Sequence, residues 1–221
     1  RQTSVLLSTL RQNPLLKYFL LLLLSMSILR LAFTWQNAAF FKQINLQLFL
    51  VGSYFDAITI ALFSMPLFLL VHPLGKQFNP RLKAIVIWLT KCYLVLIGLI
   101  ILVLNTWDIA YFSYTQKRSG FSYFLHLLTG TETSSLAGEF LKEFWWLPLL
   151  FFALAVVLWR ALVQFGNNEP SKSSKRAWLQ FILILTLAII LGRGGVQLRP
   201  IGIVDATAFS SLEQAPIVLN T

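Results

Sequence analysis

The sequence predicts an all-α integral membrane protein, a bundle of about five transmembrane helices, and three observations carry that expectation. Apolar residues make up 57% of the 221 positions and charged residues 12%, against roughly 45–50% and about 25% in soluble domains. The apolar residues gather in runs of the length that crosses a bilayer, about 20 residues of helix. The cations behind the formal net charge of +10 sit mainly in short loops between these runs, as in a membrane protein, and not on one nucleic-acid-reading face. A soluble helical bundle would need polar helix faces, which are mostly missing.

Leu15 to Phe33 is the first span. It exceeds the roughly 7–15 residues of a signal-peptide core, and no small-residue cleavage pattern follows closely. Leu46 to Val71 is the second, long enough to span with tilt, and its Pro66 predicts a kink. Ala84 to Leu104 is the third. The loop 105–144 interleaves aromatic residues with Lys117, Arg118 and His126, the composition of short amphipathic helices lying in the membrane interface. It predicts an outer platform. Trp145 to Val163 is the fourth span, with Arg160 placed to snorkel into the headgroups. Ala177 to Leu191 is the fifth and shortest, about 22 Å of helix at ~1.5 Å per residue.

Residues 1–191 thus form the membrane domain, and 192–221 an extracytoplasmic linker. In that linker Val196, Leu198 and Ile201 alternate with Gln197 and Arg199 as in an extended strand. Ala215 to Leu219 also reads as extended. The chain opens at Arg1 and stops at Thr221, so a fragment of a longer protein is expected. The strongly basic loops 72–83 and 164–176 set the orientation, with the amino terminus in the cytoplasm and the carboxyl terminus outside.

Few residues can carry chemistry. Asp56 lies within the second span, with Ser53 and Thr59 on its helical face and Gly52 close by. A carboxylate inside the membrane marks function by default. Asp56 either pairs with Arg30, at the same outer level of the first span, and locks two helices, or contacts a lipid headgroup or substrate; a proton relay would need a second carboxylate at matching depth. Beyond the third span, Asp108, Tyr111, Thr115 and Arg118 recur at helical spacing beside Lys117. Such a cluster can hold a phosphate while Asp108 orients the cations, or can be a solvated interfacial helix. His72 and His126 have no partner at metal-ligand spacing, so no metal site is expected in this chain. The single Cys92 admits no internal disulfide. Gly192-Arg193-Gly194-Gly195 leads toward Pro200 and not into a helix, a poor phosphate loop.

The five-span outline, Asp108-x-x-Tyr111-Phe112 with Lys117-Arg118, the exit Arg193-Gly194-Gly195-x-Gln197-x-Arg199-Pro200-Ile201 and the closing Pro216-x-Val218-Leu219-Asn220-Thr221 together resemble the membrane domain of lipoteichoic acid synthase-like phosphoglycerol transferases. The resemblance covers essentially the whole chain, and the exit segment is its most specific part. It implies a bacterial cytoplasmic-membrane protein with a following outer domain of the alkaline phosphatase and sulfatase fold. That domain would carry a divalent metal, Mn or Zn, and a threonine nucleophile, and would move phosphoglycerol from a membrane phospholipid. No catalytic residue or cofactor is then expected in this chain. By their place at headgroup level, Asp108, Tyr111, Lys117, Arg118, Arg193 and Arg199 are the candidates for holding a lipid headgroup; the resemblance implies the chain's own outer domain as a partner, and nucleic acid is not expected. Phosphoethanolamine transferases share the plan. A rival of another class is a stand-alone small transporter or membrane scaffold, but a transporter is expected to show broken helices or polar residues at the midplane.

Overall fold

The computed structural model describes residues 14–41, 44–71, 79–118, 142–163, 186, 190 and 215–218. Four helices in it are long and apolar enough to cross a membrane, and no strand occurs among the described residues. They are α1 (Pro14–Gln36), α2 (Leu46–Val71), α3 (Pro80–Thr115) and α4 (Trp146–Val163); a 3-10 turn, Ala38–Phe40, follows α1, and a short α5 (Ala215–Val218) lies near the carboxyl end. The expected fifth span, 177–191, falls outside the described residues except for Thr186 and Ile190, both helical. Segment 119–141, which holds most of the expected platform, also falls outside them, as does the exit with Arg193 and Arg199.

α1 packs against α2, α3 and α4, and α3 against α4, so α1 and α3 form the middle pair with α2 and α4 on the flanks. Tyr18, Leu22, Met26, Leu29 and Phe33 are the buried stripe of α1, recurring at three- and four-residue intervals as one helical face must. Hydroxyls inside the apolar helices are satisfied locally: Ser25, Thr34, Thr59 and Thr90 each donate to the carbonyl four residues earlier, at 2.8–3.0 Å. No water is available at that depth to do so.

The third span is longer than expected. α3 continues past Leu104 to Thr115, 36 residues in all, about 54 Å at ~1.5 Å per residue. Asn105, Asp108 and Phe112 stay buried, Phe112 against Phe33 of α1, and Asn105 Nδ2 donates to the Ile101 carbonyl at 2.9 Å. Polar residues that signal a loop in the sequence are helical here, with partners from their own segment: Asn105 bonds Ile101 O, Thr115 bonds Tyr111 O and Asp108 meets Arg118. The helix stops at Gln116, which takes the left-handed conformation (φ 54°) while its N–H caps Phe112 O at 2.8 Å.

Exposed aromatic residues mark two levels. Trp35, Tyr114 and Trp145 lie toward one end and Trp88 toward the other, with Trp159 between them, about 20 Å along α4 from Trp146 at ~1.5 Å per residue. From Trp88 to Tyr114 along α3 is about 39 Å at ~1.5 Å per residue, close to the ~40–45 Å of a bilayer with its headgroup regions. Such girdles belong at membrane interfaces, and the chain is compatible with a multi-pass membrane protein.

Candidate functional site

The ends of α1 and α3, the first half of α2, the start of α4 and the segment α5 meet at one end of the bundle. Two ion pairs form there, one fully buried and one partly buried. Arg30 Nη2 on α1 donates to Asp56 Oδ1 on α2 at 2.8 Å, and the two side chains are 0% and 1% exposed. Gly52, one turn before Asp56, makes room: a Cβ there would stand 2.6 Å from Arg30 Nε and 2.7 Å from Nη1. Those two nitrogens find no acceptor among the described residues.

The second pair joins Arg118 Nη1, just beyond α3, to Asp108 Oδ2 within it. The Arg118 guanidinium also lies over the Phe33 ring, 3.8 Å from its centroid, and Phe33 in turn meets Phe112 edge-on at 5.0 Å. A planar, weakly hydrated guanidinium suits such a stack far better than an ammonium. Burial pushes the Arg118 pKa down from its ordinary value; Asp108, by charge and hydrogen bond, and Asp56, by charge, pull it back up, while Arg30 pushes the same way as burial. Two arginines and two aspartates thus form one neutral cluster.

α5 closes this cluster. Val218 O accepts from Arg30 Nη2 at 3.3 Å, and Pro216 O accepts from Arg118 Nε at 3.0 Å and also from Nη2. Ile217 and Val218 are fully buried. The extended backbone expected at 215–219 is corrected to one turn of helix over Ala215–Val218. A single turn can direct two backbone carbonyls at the two guanidinium groups while its apolar side chains stay buried.

The sequence-derived candidates divide by place. Arg30, Asp56, Asp108 and Arg118 share the cluster. Tyr111 is half-buried and Lys117 exposed, at the carboxyl end of α3 and just past it. Asp108 is fully buried, so it faces the bundle and not headgroups. Arg193 and Arg199 lie outside the described residues. No group of three or more His, Cys, Asp or Glu side chains suited to a metal occurs among the described residues.

Sequence reasoning passed over Asn37. It is fully buried, its Nδ2 donates to Phe33 O at 3.1 Å and Ile109 O at 3.2 Å, and its Oδ1 accepts from Ser113 Oγ at 2.8 Å. This bridge ties the end of α1 to α3 beside Arg118. The available signal was the amide pair Gln36-Asn37 closing the first apolar run. Compared with known proteins, the chain matches no family model, no curated protein and no solved structure.

Proposed function

We propose that this is the membrane-anchoring and lipid-docking domain of an envelope transferase of the lipoteichoic acid synthase-like phosphoglycerol type, whose metal-bearing catalytic domain follows Thr221 outside the cytoplasmic membrane. The observation that carries the reading is the clasp on α5. A segment near the carboxyl end is held at two backbone carbonyls by the buried Arg30 and the partly buried Arg118, through charge-assisted bonds stronger than neutral hydrogen bonds. A plain tether needs no such grip, whereas a domain that acts on membrane lipid must be held at a set height and angle. Lys117, exposed just past α3, supplies a cation at headgroup level.

The test uses the full-length protein in lipid vesicles. Arg118→Ala removes the hold on Pro216 and is expected to lower phosphoglycerol transfer from membrane lipid while leaving hydrolysis of a soluble lipid analogue intact. Equal loss of both, or loss of neither, opposes the docking role. A reading frame that closes at Thr221 removes the transferase reading altogether.

A further inference from the structure

At the end of the bundle away from the arginine pairs, α1, α3 and α4 enclose a groove of about 290 Å³. Leu102, Leu158 and Leu162 form its buried floor, and Phe152, Val156 and Trp159 its exposed mouth. The Tyr18 hydroxyl, its polar lining group, donates to Leu94 O at 2.7 Å. Gly98 and Ala155 keep the groove open: any Cβ at Gly98 would collide with the Tyr18 hydroxyl. Along α4 the lining runs from Phe152 to Leu162, about 15 Å at ~1.5 Å per residue. That is half of the ~30 Å hydrocarbon core, the depth of one leaflet.

Among the described residues, charge beside the groove is of one sign. Lys91 lies one turn before the lining residue Val95, and Arg160 one turn after the lining residue Val156, so each shares a helical face with the groove. Lys91 follows the exposed Trp88 by three residues and Arg160 directly follows the exposed Trp159, the kind of ring that anchors at headgroups. The acidic side chains among the described residues, Asp56, Asp108 and Glu143, all belong to the opposite end, where Glu143 meets Tyr114.

We infer that the groove holds one acyl chain of an anionic phospholipid whose phosphate sits between Lys91 and Arg160. A neutral apolar ligand would make no use of the two cations, and a soluble anion would make no use of the leaflet-deep apolar groove. The inference is independent of the transferase reading, because this lipid lies in the leaflet opposite the clasp and serves the bundle as a bound component.

Native mass spectrometry of the full-length protein, equilibrated with equal phosphatidylglycerol and phosphatidylcholine in mild detergent, tests it. Wild type is expected to retain phosphatidylglycerol preferentially. Lys91→Gln and Arg160→Gln should each reduce that retention about fivefold, and Ala155→Trp, which fills the groove, should abolish it in protein that remains monodisperse. Equal retention of the two lipids by wild type overturns the proposal whether or not the variants fold. So does unchanged retention in Ala155→Trp, or an efficient disulfide between Val156→Cys and Thr186→Cys, which would show the chain's own 177–191 segment seated in the groove.

Discussion

Removing the carboxylate of Asp56 should be among the most damaging single changes in the bundle. In the Asp56→Ala variant the Arg30 guanidinium stays fully buried and keeps the Val218 carbonyl at 3.3 Å as its acceptor. Across the 2.8 Å of the native pair, the attraction at an effective dielectric of ~20 comes to about 6 kcal/mol. Desolvation offsets part of this, and stranding one partner of a buried pair typically costs roughly 3–5 kcal/mol. Equilibrium unfolding of the purified chain in mixed micelles measures the loss, with Leu149→Ala, at an exposed position, as the lipid-facing control. The double variant Arg30→Met/Asp56→Leu removes both charges at once and should be roughly neutral. An Asp56→Ala loss within about 0.5 kcal/mol, the scale of an ordinary surface change, would refute the reasoning, as would a double variant no better than the worse single one.

Gly52→Ala should cost roughly 1–3 kcal/mol by overpacking, since its Cβ would stand 2.6 Å from Arg30 Nε; in an Arg30→Met background the same change should fall to near zero in the same unfolding assay. Tyr18→Phe removes the bond to Leu94 O and should cost about 0.6 kcal/mol, the usual size of an interhelical hydrogen bond in a membrane protein. Asn37→Ala breaks three bonds and leaves Ser113 Oγ only the Ile109 carbonyl at 3.4 Å, so a loss smaller than that of Tyr18→Phe would contradict its bridging role. For orientation, cysteines placed at positions 117 and 221 should react with an impermeant reagent in intact cells while those at 76 and 172 stay protected; labelling at 172 reverses the topology.

How much of this could be read beforehand varies with the element. α2 has the same limits in sequence and structure, Leu46–Val71, because a continuous apolar run leaves little doubt where a helix in lipid begins and ends. α3 does not. Its last turns carry Asn105, Thr106, Asp108 and Thr115, and no local pattern says that the bundle will bury Asn105 and Asp108 or that Arg118 will fold back onto Asp108. An arginine and an aspartate set in neighbouring apolar runs, as Arg30 and Asp56 are, have few partners to choose from, which makes such a pairing readable from sequence.

By itself, then, the sequence determined the solvent of this protein and the number and place of most of its helices, since hydrocarbon transfer depends on composition summed over about 20 residues and not on what those residues touch. Only the tertiary structure decided which polar groups meet. The carbonyls of Pro216 and Val218 are separated from Arg118 and Arg30 by 98 and 188 positions, and a backbone carbonyl has no side-chain signature to announce it. The physical reason is that partner choice among buried polar groups is settled by three-dimensional packing, where each unpaired group is penalised, whereas membrane insertion is settled segment by segment.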